Sequence, residues 1–171
     1  MLGSDMKKIK IYLDTSVINF LYADDVPELK KVTEEFFAYV KEGQRYDVYV
    51  SDVVINEINK TNDPIKKKKL ISIIESYGLT KLPNFKDVEM SALAEIYLNK
   101  GVIPRSKIED ALHIAYAVVF EIDVLLSWNF KHLANIKQER EVLIVNIEIG
   151  YNYPIRIVTP MEVDYEDSND I

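Results

Sequence analysis

The sequence predicts an α/β domain: a parallel sheet with helices on both faces. Two observations carry that prediction. Apolar strand-like runs alternate with amphipathic helical stretches along the chain, with no internal repeat, low-complexity tract or linker between them. The 171 residues are 48% hydrophobic and 29% charged, with five glycines and six prolines, which is one domain with one core and excludes disordered and collagen-like chains.

Each element has its own signal. Lys8 to Leu13 (KIKIYL) alternates apolar and polar residues and runs into Asp14, a strand ending in a carboxylate. Ser16 to Ala23 reads as a short helix. Pro27 suits a first helical position, and Leu29, Val32, Phe36, Phe37 and Val40 recur behind it at helical spacing. Tyr46 to Val50 is a second strand. Ser51 caps a helix to about Lys60 that buries Val54 and Ile58. Asp63-Pro64 opens a helix to Tyr77, Leu79 to Leu82 is a third strand, and Met90, Leu93, Ala94 and Tyr97 mark a helix from about Lys86 to Lys100. Ser106 caps the next helix, whose apolar stripe is Ile108, Ala111, Leu112, Ala115 and Val119. Val124 to Ser127 is a fourth strand and Ile155 to Val158 the last, followed by a capping box at Thr159-Pro160-Met161-Glu162. Val142 to Ile149 is β-branched and has strand character. Yet Gly43, Gly78 and Gly101 sit just past predicted helices, where a left-handed residue ends the helix, so Gly150 is expected to end one that starts near Ile136.

Composition narrows the chemistry. There is no cysteine, which removes disulfide scaffolds, thiol nucleophiles and cysteine zinc sites. The two histidines, His113 and His132, are too few for a histidine-rich metal centre. The uncharged run from Ala111 to Phe120 is too short to span a bilayer, and the N-terminus lacks a secretory signal, so a cytoplasmic protein with no membrane association is expected. Net charge is −7, unlike a duplex-DNA binder. Five of the acids lie between Glu162 and Asp170, whereas residues 60–69 hold five lysines against one aspartate. Residues 1–7 read as an extension outside the fold, with Met1 to Asp5 as a remnant of expression and Met6 as a second start, 8–163 as the domain, and 164–171 as an acidic tail.

Right-handed crossovers put all strand C-termini on one edge of such a sheet, where ligands bind. Four polar positions converge there. Asp14 closes the first strand, and Asn129, two residues after Ser127, closes the fourth. Glu57 lies in the second turn of the helix opened by Ser51, and Asp110 near the start of its own helix. Taken singly, each has an ordinary explanation: Asp14 as a helix cap, Asp110 as a partner of the helix dipole, Glu57 as a solvated acid, Asn129 as a turn residue. Taken together, three carboxylates and an amide repel and desolvate one another unless a cation sits among them, and an oxygen-only set selects Mg²⁺ or Mn²⁺.

Four segments in order, YLDTSVINFLYADD near the start, SDVVINEI at 51–58, DALHIA at 110–115 and LLSWNFKHL at 125–133, resemble the PIN-domain ribonucleases, and the layout is most similar to the VapC-type toxins of toxin–antitoxin pairs. The resemblance spans Lys8 to Val163 and implies a PIN-like domain with a five-stranded parallel sheet, frequent dimers, and a Gly150 helix end. It implies that Asp14, Glu57 and Asp110 are the metal carboxylates, with Thr15 or Ser16 as the hydroxyl after the first. Asn129 stands where many members have a fourth acid, Ser127 replaces the usual threonine, and His132 replaces an aspartate.

The function expected on this basis is metal-dependent endoribonuclease activity on single-stranded or structured RNA, with single strands preferred, leaving a 5′-phosphate and a 3′-hydroxyl, as the toxin of a pair with an antitoxin protein. His113, on the same helix face as Asp110, supports the site. Lys60, Lys66 and Lys67, with Lys68 and Lys69 in the same run, are candidates for the RNA backbone, and Trp128 and His132 for RNA contact, although Trp128 is as readily a ring packed under its loop. A homodimer is expected, with apolar surface offered by Phe36, Phe37, Tyr39, Ile71, Ile73 and Ile74. The alternative is a non-catalytic PIN-like RNA-binding or scaffold module, favoured by Asn129. A phosphatase using Asp14 as nucleophile fits poorly, since Ser16 stands where its second acid would be.

Overall fold

The computed structural model describes residues 7–43 and 45–163; the N-terminal extension up to residue 6 and the acidic tail from residue 164 lie outside them. Strands β1 (Ile9–Leu13), β2 (Tyr46–Val50), β3 (Thr80–Lys81), β4 (Val124–Leu126) and β5 (Arg156–Val158) alternate with helices α1 (Thr15–Asn19), α2 (Pro27–Glu42), α3 (Asp52–Asn59), α4 (Pro64–Ser76), α5 (Asp87–Asn99), α6 (Ile108–Val119) and α7 (Ile136–Ile149). The strands form one sheet in the order β3-β2-β1-β4-β5, every pair parallel. This is the five-stranded parallel sheet that the resemblance implied.

The topology fixes where a site can form. From central β1 the chain moves to β2 and β3 on one side, then returns to β4 and β5 on the other. The strand order reverses between β1 and β4, and the crevice beyond that reversal is where open α/β sheets take ligands. The two strand ends are tied there by Asp14 N–H donating to the Leu126 carbonyl at 3.2 Å. Along β1 the consecutive residues Ile11, Tyr12 and Leu13 are all buried, so both faces of the sheet are covered, which a strand hemmed by helices requires.

Caps set the helix starts. Ser51 accepts from Val53 N–H, Asp63 from Ile65 and Lys66 N–H, and Asn135 from Gln138 N–H. The β-branched segment 142–149 is helical, and Gly150 ends it in the left-handed region at φ 97°. The Thr159–Glu162 capping box forms around a 3₁₀ turn, Pro160–Glu162.

Several expectations are corrected. Ser106 caps nothing: it lies in the turn closed by Lys107 N–H on the Pro104 carbonyl, and α6 starts after Lys107 without a side-chain cap. Ile108 is exposed and lies outside the α6 stripe. Gly43 has an ordinary φ of −85°. It is needed for close approach instead, because a Cβ there would meet the Tyr39 carbonyl oxygen at 2.7 Å. The first predicted helix is one α-helical turn continued by a 3₁₀ turn, Phe20–Tyr22. Phe36, Phe37 and Ile73, counted on for a dimer surface, are buried in the core of a single chain. No helix among the described residues is long and apolar enough to cross a membrane.

Candidate functional site

The site is assembled at the sheet's reversal point from four segments. Asp14 follows β1, residues 127–129 follow β4, Glu57 is carried by α3 and Asp110 by the first turn of α6.

Asp14 is 3% exposed and accepts from protein donors on both oxygens. Its Oδ1 takes the Ser16 hydroxyl at 2.5 Å and, as cap of α1, Val17 N–H at 3.3 Å; its Oδ2 takes the Ser127 hydroxyl at 2.5 Å. Each hydroxyl also accepts a backbone N–H from the loop after β4: Trp128 N–H to Ser16 Oγ and Asn129 N–H to Ser127 Oγ, both at 2.9 Å. The two serines therefore bolt that loop to the carboxylate. Asp14 is thus the helix cap of its ordinary explanation and the centre of the cluster at once.

Glu57 uses one oxygen for two donors. Its Oε1 accepts from Thr15 Oγ1 at 2.9 Å and from His113 Nε2 at 2.6 Å. His113 is buried, and its Nδ1 lies 2.7 Å from the Tyr12 hydroxyl, which lies 2.6 Å from Ser51 Oγ. With the proton on Nε2, every donor in this chain finds an acceptor. Ser51 accepts Val53 N–H and donates to Tyr12, Tyr12 donates to Nδ1, and Nε2–H donates to Glu57.

Asn129 links the third acid. Its Oδ1 accepts from His132 N–H at 3.0 Å, which fixes the amide so that Nδ2 donates to Asp110 Oδ2 at 3.1 Å. Asn129 also closes its turn, its carbonyl accepting from Leu133 and Ala134 N–H.

The charges feel one another. Burial pushes the Asp14 carboxyl up, against the His113 charge and the serine hydroxyls. Burial pushes the Asp110 carboxyl up to about 6; His113 opposes this, and the Asp14 and Glu57 charges add to it. Glu57 is also raised by burial, but its bond to His113, the His113 charge and the Thr15 hydroxyl outweigh that and leave it below the usual range. Burial lowers the His113 imidazole, yet the bond to Glu57 and the charges of Asp14, Glu57 and Asp110 bring it above its ordinary value.

As the side chains stand, no group of three or more Asp, Glu or His residues among the described residues is arranged to hold a metal ion. The donor chemistry nevertheless fits a hard divalent cation. The set is all oxygen, the Asp14 and Glu57 charges raise Asp110, and Glu57 Oε2 and Asp110 Oδ1 carry no hydrogen bond among the described residues. When protonated, His113 would supply the positive charge that this cluster otherwise lacks, its Nδ1–H then donating to the Tyr12 hydroxyl.

The outlying candidates divide. Trp128, expected to face RNA, is corrected: it is 3% exposed, donates from Nε1 to Thr33 Oγ1 at 2.9 Å and stacks on Phe20, so its ring offers no face to a base. Lys60 reaches Glu109 at 2.9 Å, Lys66 is exposed, and Lys67 is half-buried. His132 is half-buried beside the site, its imidazole lowered by burial and by Lys131 and Lys107. Tyr12 and Ser51 are the members that sequence reasoning missed. The available signal was a tyrosine inside a buried strand, two residues before Asp14 and hence on its side of the sheet, whose hydroxyl needs a partner.

No protein-family model matches the chain, and no curated protein matches it. Among solved structures it is similar to a chain of VapBC2 from Rickettsia felis, in a crystal structure with a DNA fragment from the VapBC2 promoter. The alignment covers 72% of this chain and 90% of that one, at 15% identity and a TM-score of 0.48.

Proposed function

We propose that the chain is a metal-dependent endoribonuclease with Asp14, Glu57 and Asp110 as the residues that would hold Mg²⁺ or Mn²⁺. The observation that carries this reading is the meeting of three carboxylates from three elements at the sheet's reversal point, close enough that Asp14 and Glu57 raise the Asp110 carboxyl. A bound divalent ion supplies a water of lowered pKa and a Lewis acid for a phosphate oxygen. The chain's own groups orient the acids. Ser16 and Ser127 fix Asp14, Thr15 and His113 fix one oxygen of Glu57, and Asn129 steers Asp110. RNA is the substrate proposed, and a toxin role with an antitoxin partner follows from the same resemblance.

A Mn²⁺ titration followed by thermal melting tests the site. At a hundredfold excess over Kd, binding to the folded state alone should raise Tm by about 5–10 °C. Asp110→Asn should abolish most of that shift. A parent protein with no shift supports the second reading, a non-catalytic module. One observation favours that reading: the three carboxylates already accept hydrogen bonds from protein donors.

A further inference from the structure

We propose that the exposed face of α4 formed by Ile65, Lys68, Lys69 and Ser72, together with Tyr22, docks the single strand of RNA that flanks the cleaved bond; the proposal rests on the ribonuclease reading above. These four α4 residues are spaced to share one face of the helix and line an open depression of about 600 Å³ with Pro64. Lys69 Nζ lies 5.8 Å from the centre of the Tyr22 ring, and Tyr22 and Ile65 are 39% and 70% exposed. A cation against an exposed aromatic ring, beside further lysine, is the chemistry that takes a phosphate backbone with a stacked base.

The face carries charge not neutralised by a neighbouring acid. Lys68 and Lys69, like Lys66 and Lys67 beside them, have no ion pair among the described residues, whereas Lys30, Lys60, Lys81 and Lys100 each sit on an acid. The nearby Asp63 is engaged in capping α4 through Ile65 and Lys66 N–H. Position gives the face its meaning. Tyr22 closes the 3₁₀ turn that continues α1, the helix capped by Asp14, and α4 packs against both α1 and α3, the carrier of Glu57. The carboxylates of the site repel a polyanion, so affinity for one must come from outside the cluster. A single exposed ring suits a splayed base, which a duplex does not present. Lys66 and Lys67 lie off this face, Lys67 half-buried.

The test is anisotropy of a labelled oligouridylate with the full chain in EDTA, across a salt series. Lys68→Ala/Lys69→Ala should weaken binding on the order of tenfold and reduce the slope of log K against log salt by about 1.4, the release expected for two phosphate contacts on a single strand. Tyr22→Ala should weaken binding by about fivefold or more with the slope unchanged. Lys66→Ala/Lys67→Ala should bind like the parent. Tyr22, Lys66, Lys68 and Lys69 are exposed and Lys67 is half-buried, and melting curves check that each variant folds. Parent affinity and slope in Lys68→Ala/Lys69→Ala overturn the proposal, and are the result expected if the face takes an acidic protein instead. A parent that binds the oligomer but does not cut RNA in Mn²⁺ removes the ribonuclease reading and leaves the docking face. A parent that cuts, with KM unchanged in the double variant, removes the docking face alone. A parent that does neither removes both.

Discussion

His113 Nε2 lies 2.6 Å from Glu57 Oε1, and both side chains are held from behind, His113 by Tyr12 and Glu57 by Thr15. Both donors converge on one carboxylate oxygen, so Oε2 of Glu57 has no hydrogen-bond partner among the described residues. A protonated imidazole and a divalent cation answer the same need, since each relieves acids drawn out of water.

Tyr12→Phe removes the hydroxyl between Ser51 and His113 and leaves both without their partner in the interior. Loss of about 1–3 kcal/mol of stability is expected from the unsatisfied groups. With Glu57 less firmly held, Mn²⁺ should also bind more weakly. Chemical denaturation and a Mn²⁺ titration of the same variant read the two effects separately.

Stability without metal should rise as pH falls from about 7.5 to about 5.5. The folded-state values of Asp110, about 6, and of His113 both lie above their ordinary ones. Across this window Asp110 and His113, joined by the raised Asp14, bind more protons in the folded state than in the unfolded chain. The lowered His132 works the other way as one group against three, and linkage makes stability fall as pH rises. Glu57, lowered, contributes stability that is lost only below the usual carboxylate range, outside the window. Melting curves at both pH values should show the higher Tm at pH 5.5, and Asp110→Asn should flatten the difference and raise Tm at pH 7.5. The opposite slope would contradict the burial assigned to Asp110.

Asn129→Asp exchanges the amide donor for an oxygen facing Asp110 Oδ2, at a separation of 3.1 Å in the parent. Like charges at that distance cannot both ionise freely. The variant should melt lower than the parent without metal and show a larger Mn²⁺-induced shift. Differential scanning fluorimetry with and without Mn²⁺ measures both.

Thr33→Val leaves the Trp128 indole N–H buried without its acceptor. It should cost about 1–3 kcal/mol of stability. RNA affinity of the folded variant should match the parent, because Trp128 props up its loop from beneath.

The fold was legible because strand and helix signals alternated cleanly. Even the β-branched run 142–149 was resolved by Gly150, a residue whose backbone freedom the chain uses at φ 97°. The positions of Asp14, Glu57, Asp110 and Asn129 were legible because strand ends and helix starts share one edge of a parallel sheet. What the acids bind was not. Pairings such as Ser127 with Asp14, 113 positions away, or Tyr12 with His113, 101 away, depend on which side chains the packing brings face to face. The lysine run was visible in sequence, but its docking face was not, since Tyr22 reaches Lys69 only through the packing of α1 on α4. Phe36 and Phe37 misled for the same reason: an apolar helix face looks alike whether a partner chain or its own sheet covers it.

The most direct test of the central claim is cleavage of a single-stranded RNA by purified parent and Asp14→Asn protein in Mn²⁺, with the product ends identified. Asp14→Asn keeps the shape that caps α1, so it should fold, and it removes one charge of the cluster. The expected result is cleavage by the parent that stops in EDTA and leaves 5′-phosphate ends, with a loss of orders of magnitude in Asp14→Asn. Cleavage by Asp14→Asn at the parent rate, or cleavage by the parent that persists in EDTA, would contradict the assignment of these carboxylates as a metal site.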